Sequence, residues 1–436
     1  MAEPVSVADA PCRDERLITP RLWVMFFLQW ATWGVYSTLL GRCFTAPVAE
    51  GGLGFTDGQI GLLFGLPSTL AALVSPLIGG QLSDRCFSAQ RFLGALQIML
   101  GVLLWVLPSQ TKFAAWLALS VAIGLLSGPT ISLANALAFA HLRDPKAQFP
   151  WARLGGTIGW IVANWGFPML WLQTGLHLRW LPPFIVGTEV PDVTRRLLDA
   201  LRAGACLSVI FGLYSLTLPH TPPKRQGVDP LAFRKAFKLF RYRSFIVLAI
   251  AGPVIGAIHG IYFWQTPRFL STLGLRDADI QPAMSTAQFA EIFAMVGLPW
   301  LLKRLGFRWV ISIGVFAYAV RFAVFGATWL PVGVIIASQA LHGVCFACFY
   351  TATFIYIDHL ADKDIRASAQ GLIGIVFGLG PILGGTLSTL LANAYTVPGG
   401  LWFSPFWYSI SAIGFAATLF LATFLRDESA KAMAES

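Results

Sequence analysis

The sequence predicts an all-α membrane protein whose twelve helices form two six-helix bundles. Three observations carry that expectation. The 436 residues are 56% hydrophobic and only 12% charged, with a mean hydropathy of +0.67, whereas a soluble protein of this length carries about twice that charged fraction. Apolar runs of about 18 residues or more recur along the chain, each long enough to cross a hydrocarbon core ~30 Å thick. A basic segment, Lys224 to Arg243, divides them into two sets of six.

The elements follow in order. Residues 1–21 form a polar tail with Asp9, Arg13, Asp14, Glu15 and Arg16. It lacks the basic start, apolar core and small-residue cleavage site of a signal peptide, so the first span is expected to act as its own insertion signal. Gly, Pro and charge punctuation place the first bundle in residues 22–218, with spans at 22–41, 58–80, 91–108, 113–139, 151–174 and 198–218. A linker, 219–244, opens on Pro222-Pro223 and carries Lys224, Arg225, Arg234, Lys235, Lys238, Arg241 and Arg243 against one acid, Asp229. The Phe233/Phe237/Phe240 spacing suggests an interfacial amphipathic helix there, tethered to anionic membrane lipid. The second bundle, 245–425, holds spans at 245–271, 281–302, 309–329, 331–357, 368–393 and 402–425, before a tail at 426–436. Thr328-Trp329-Leu330-Pro331 supplies only a tight turn between the ninth and tenth.

Most of the 31 Lys and Arg fall on segments that a cytosolic N-terminus would place inside. Both termini are therefore expected in the cytosol, with the protein in a bacterial inner membrane. For the same reason the net charge of +10 is read as orientation signal, and nucleic acid is not expected as a partner. Cys12, Cys43, Cys86, Cys206, Cys345 and Cys348 are scattered. Cys345 and Cys348 make a CxxC inside a span without a second pair, so no metal is expected. HExxH and GxSxG constellations are missing, no cofactor motif stands out, and no catalytic residue is assigned. An enzyme is not expected.

Three ionisable residues interrupt the second bundle at bilayer depth: Glu291, Arg321 and His342. Such groups cost several kcal/mol in lipid and usually face a partner or a wet cavity. Glu291 lies twelve residues before Lys303, and Arg321 thirteen after Arg308. At about 1.5 Å per helical residue both sit roughly 18–20 Å from the inner surface, close enough in depth for an ion pair. Either that pair is a permanent structural clamp, or Glu291 carries a proton. An adjacent arginine favours the ionised carboxylate and apolar burial the neutral acid. His342 is either a hydrogen-bonded core histidine or a second proton site, since a free histidine titrates near pH 6.5. His259 is expected to be structural.

The halves are weakly alike: Gly79-Gly80-Gln81-Leu82-Ser83-Asp84-Arg85 follows span two and Leu302-Lys303-Arg304-Leu305-Gly306 span eight. Parallel repeats joined by a basic linker suit a transporter. The first of these loops resembles the loop motif of the major facilitator superfamily. Further segments resemble its nucleoside:proton symporter family: Phe27-Leu28-Gln29-Trp30 with Trp33-Gly34, Phe149 to Gly159, Leu216 to His220, Arg321 to Phe325, and Ile365 to Gly371. They run in order over nearly the whole chain.

That resemblance implies a nucleoside and a proton sharing a central cavity between the bundles. The positions matching the family's cavity residues are Arg153, Thr157 and Trp160 in span five, Gln288 and Glu291 in span eight, and Phe346 in span ten. An acid expected beside the last is Ala347, a Tyr expected one turn earlier is His342, and polar positions of span seven are Gly260 and Phe263. The residues themselves suit such a solute. Gln288 and Glu291 share a helix face, as do Arg153, Thr157 and Trp160; Trp160 and Phe346 are flat surfaces for a base, and Arg153, Thr157 and Gln288 hydrogen-bonding groups. Gln29, with Trp33 and Tyr36 on its face, and Asn135 either line the cavity from the first bundle or bridge helices. The expected partners are a nucleoside or related small solute, protons and membrane lipids, with the chain a monomer. The expected activity is import of nucleosides with protons by alternating access. A uniporter or exporter of another sugar-like or drug-like solute would share the same bulk features.

Overall fold

Long apolar runs with little internal charge leave helix as the backbone state that satisfies its own hydrogen bonds in lipid. The computed structural model describes residues 18–76, 87–180, 184–222, 237–361 and 365–428, and these are helical at each of the twelve expected places. The first bundle comprises α1 (Ile18–Ser37), α2 (Asp57–Pro76), α3 (Ala89–Val106), α4 (Phe113–His141), α5 (Pro145–Phe167) and α6 (Asp199–Ser215). The second comprises α7 (Arg243–Thr272), α8 (277–305), α9 (307–326), α10 (332–360), α11 (366–395) and α12 (Phe403–Phe424). Among the described residues nine stretches are long and apolar enough to cross a membrane unaided. One of them, Asp277–Gly326, runs for 50 residues and is broken where Gly306 takes φ 74°, the left-handed turn that separates α8 from α9. The helices outside that set, α1 and α5, pack against each other.

Several elements differ from expectation. The span expected at 151–174 is helical only to Phe167, continues as a π turn over Pro168–Leu172, and then becomes strand. The fold is thus not purely helical: β1 (Gln173–Leu178) pairs antiparallel with β2 (Ile185–Glu189), and a two-residue hairpin joins Thr396–Val397 to Gly400–Leu401. The tenth helix is segmented into Val332–Ser338, Leu341–Cys345, a π turn at Phe346–Thr351 and Ala352–Leu360. The eleventh divides at Leu379 into Arg366–Gly378 and Gly380–Tyr395, beside the Gly380-Pro381 pair. Of the linker, the expected amphipathic helix falls mainly on 223–236, outside the described residues; Phe237–Arg241 is a 3₁₀ turn with Phe237 and Phe240 exposed and stacked 6.0 Å apart. The Gly79–Arg85 loop also lies outside the described residues.

Glycines set how closely the helices approach. A Cβ on Gly155 would lie 2.3 Å from the Trp23 carbonyl oxygen, and one on Gly159 2.2 Å from that of Phe27, so α1 and α5 meet backbone to backbone. The same device closes the bundles on one another where α2 crosses α11: a Cβ on Gly385 would fall 2.2 Å from the Gly61 oxygen.

Several inter-bundle polar contacts cluster at one end of the molecule, the end that carries both hairpins. Arg42 pairs with Asp277 at 3.0 Å and Arg268 with Asp57 at 2.6 Å. Gln281 Nε2 donates to the Gly34 and Val35 carbonyls and to Thr38 Oγ1. Trp165 Nε1 donates to Ser285 Oγ. The hairpin itself docks on the start of α8, where Glu189 Oε1 accepts from the Ala278 amide and Arg276 Nη1 donates to the Gly187 carbonyl. Burial there pushes the Glu189 carboxyl above its ordinary range. Nearer mid-depth the Ile382 amide donates to Thr69 Oγ1.

Candidate solute site

Closing the bundles at the hairpin end leaves a cavity of about 430 Å³ between them, at the middle of the helices. The first bundle contributes Trp30, Trp33 and Ser37 from α1, Phe64 and Ser68 from α2, and Arg153, Gly156, Thr157 and Trp160 from α5. The second contributes His259, Gly260, Phe263 and Trp264 from α7, Gln288 and Glu291 from α8, His342 and Phe346 from α10, and Pro381 from α11. Six of the eight expected binding residues, Arg153, Thr157, Trp160, Gln288, Glu291 and Phe346, therefore line one space.

Its walls are aromatic and its polar groups few, the general form of a small-molecule site. The Arg153 guanidinium lies 4.5 Å above the Trp30 ring, a cation–π contact. Gly156 permits it, because a Cβ there would fall 2.5 Å from both Arg153 Nη1 and Trp30 Cδ1. Trp30 in turn meets Trp33 and Trp160, each with ring centroids 6.2 Å apart, and Trp160 meets Phe263 across the bundle boundary at 6.4 Å. On the other flank Trp264 folds back over Gly260 and stacks on Phe64 at 5.0 Å. The indole N–H groups of Trp33, Trp160 and Trp264 and the Ser37 hydroxyl are buried without a protein partner. Glu291 is the acid among the lining residues, and Arg153 is the cation whose field reaches it.

Three expectations are corrected. The Glu291–Arg321 ion pair does not form. Depth matched, but α10 comes between: the backbone of α8 at Ala290 and Glu291 packs on Gly343, where an added Cβ would lie 2.5 Å away, while the adjacent His342 meets Arg321. Gln29 does not line the cavity; it is 2% exposed, donates to Thr130 Oγ1 at 3.1 Å and accepts from Gln97 at 3.5 Å, bridging helices of its own bundle. Asn135, half-exposed on α4, is not among the lining residues either.

His342 does line the cavity, but its Nδ1 accepts from Arg321 Nη1 at 2.7 Å, so uptake of a proton at that nitrogen would require the bond to break. His259, expected to be structural, also reaches the cavity, with Nδ1 2.5 Å from Tyr318 Oη and its ring stacked on His342 at 5.2 Å. Trp30, Phe64, Ser68 and Trp264 went unassigned from sequence. The available signal was spacing, with Trp30 and Trp33 three apart and Phe64 and Ser68 four apart on their helices.

The family description "Nucleoside H+ symporter" matches residues 17–430. The chain belongs to that family. It is 30% identical over 425 residues to YegT of Escherichia coli strain K12, covering 94% of each chain. The xanthosine permease of the same strain is 27% identical over 407 residues, covering 88% of this chain and 90% of that one. Among solved structures, a crystal structure of the nucleoside transporter NupG superposes with a TM-score of 0.76 at 25% identity, over 94% of this chain and 99% of that one. A D-xylose–proton symporter, 14% identical at a TM-score of 0.70, shares the fold alone. The protein is thus a multi-pass transporter of the major facilitator type and not an enzyme, and proton-coupled nucleoside transport is its family's activity.

Proposed function

We propose that the chain imports a nucleoside together with a proton by alternating access, and that the inter-bundle cavity is where both bind. The observation that carries this reading is one space holding Arg153, Thr157, Gln288 and Glu291 among indole and phenyl rings. Trp160 and Phe346 offer faces to a base. Arg153 donates to its carbonyls and to ribose oxygens, and Glu291 and Gln288 accept from hydroxyls. Ala347 stands where the family resemblance expects an acid, so the proton falls to Glu291. A neutral Glu291 leaves a cavity with less charge to desolvate as the bundles reorient, which links proton binding to movement of the loaded carrier.

The Lys and Arg distribution supports a cytosolic location for both termini, in a bacterial inner membrane. The hairpin end then faces outward, and the arrangement described here is closed to the outside. Residues 22–218 and 245–425 act as the two rocking bodies, joined by the basic linker at 219–244, and the chain works as a monomer.

The test is accumulation of labelled uridine and adenosine in proteoliposomes, with and without a proton gradient. Gradient-dependent accumulation is expected, and uptake unaffected by a protonophore would refute the coupling. Glu291→Gln should lose accumulation while retaining exchange of labelled for unlabelled nucleoside. Intact accumulation in that variant would move the proton elsewhere.

A further inference from the structure

Arg321 is fully buried behind the cavity wall, with no carboxylate within ion-pair distance among the described residues. The rings of Tyr262, Phe322 and Tyr318 surround its guanidinium at 4.1, 4.8 and 5.2 Å. Nε and Nη2 have no hydrogen-bond partner, and Nη1 donates to His342 Nδ1 at 2.7 Å. A guanidinium has donors only and keeps its proton in proteins. The His342 Nδ1 must therefore present its lone pair, which leaves the ring proton on Nε2. Turning the imidazole over would set a C–H against Nη1 and strip Arg321 of its one hydrogen bond. Nε2 has no hydrogen-bond partner among the described residues and is not among the sealed polar atoms, and His342 is one of the residues lining the cavity.

We infer that Arg321 holds His342 as a neutral imidazole with its Nε2–H directed into the cavity, making this point of the site demand a hydrogen-bond acceptor and reject a donor. The inference rests on the cavity being the nucleoside site and narrows it to solutes that place a carbonyl oxygen, ring nitrogen or ether oxygen there. Arg321 acts through His342 and is a positioning residue. The groups facing the imidazole are consistent with its neutrality. Arg321 approaches from α9, His259 stacks on it at 5.2 Å and Tyr262 at 5.0 Å from α7, Cys345 follows on its own helix, and Glu291 lies on the same cavity wall. A second proton on Nδ1 would point a cationic N–H at a cationic guanidinium. An unpaired buried hydrogen-bonding group penalises a mismatched solute, which is how such a position discriminates.

Two measurements on the full-length protein test this. In ¹⁵N-histidine spectra of the solubilised transporter, with the His342 signal assigned by its loss in His342→Gln, the Nε2–H tautomer should persist across the range in which free histidine titrates. Arg321→Met should release it to a mixture of tautomers. A wild-type spectrum showing Nδ1–H or imidazolium overturns the proposal. The second measurement is binding of uridine and purine nucleosides, and of analogues each lacking one acceptor. One deletion should cost about tenfold or more in wild type and nothing further in His342→Phe, with His342→Gln, which keeps an N–H donor, restoring the preference. If no deletion penalty is erased by His342→Phe, the residue does not read the solute. If wild type binds no nucleoside at all, the transport reading falls and this selectivity with it, whatever the tautomer.

Discussion

At the residue scale, Arg321 shows how a buried charge is tolerated without a counter-ion. Its surroundings are the faces of three aromatic rings and one imidazole nitrogen, each attracting the cation by a fraction of what a carboxylate would supply. Such a charge adds little to stability when balanced against its desolvation, and an apolar side chain of similar volume often does as well. Arg321→Met is therefore expected to keep or raise the melting temperature. Arg321→Ala, which leaves a void among Tyr262, Tyr318 and Phe322, should lower stability by about 2–5 kcal/mol. A thermal unfolding scan of both variants in one detergent checks this. Equal loss in both would mean that the charge itself is structural.

At the element scale, the α2–α11 crossing depends on Gly61 and Gly385, whose backbones touch. Gly385→Ala should hold these helices apart and weaken the closed hairpin end by about 1–3 kcal/mol. The expected result is slower uptake without loss of expression, read by transport assay beside a size-exclusion profile; unchanged uptake would show that the crossing is not tight during the cycle. Helices of this kind were readable from sequence because an apolar run of span length has few alternatives in lipid. Even the joint at Gly306 fell inside the turn expected between Lys303 and Arg308. What stayed hidden was rotation about each helix axis. Glu291 and Arg321 share a depth, which residue counting gives, but α10 lies between them, which counting does not. Gln29 and Trp33 sit four apart, yet one bridges α1 to α4 and the other faces the cavity. Periodicity groups residues into faces without saying which face meets which neighbour. The strands at 173–178 and 185–189 were missed because Gln173 to Glu189 follows an apolar stretch that reads as a continuing span.

At the scale of the whole molecule, the two bundles are latched by Arg42–Asp277 and Arg268–Asp57, both half-buried at the hairpin end. Removing both arginine side chains should favour opening there by about 1–2 kcal/mol, roughly a 5- to 30-fold change in the open population. Cys43, adjacent to Arg42 and fully buried in this arrangement, is a built-in reporter. In a background with Cys12→Ser, Cys86→Ser and Cys206→Ser, Arg42→Ala with Arg268→Ala should speed maleimide labelling of Cys43 by that factor. An unaltered rate would mean that the glycine crossing and Gln281 hold the end shut by themselves.

The π turn at Phe346–Thr351 has a bearing on how α10 tolerates change. A wide turn of this kind amounts to one surplus residue in an otherwise regular helix, so the stretches on either side keep the phase they would have without it. Shortening the chain by Ala347 should let α10 wind evenly from Leu341 to Leu360 with His342 and Tyr356 still pointing where they do now, while Phe346 alone swings. A deletion, ordinarily the harshest edit a helix can suffer, would here act almost like a point substitution at the cavity-lining ring of Phe346.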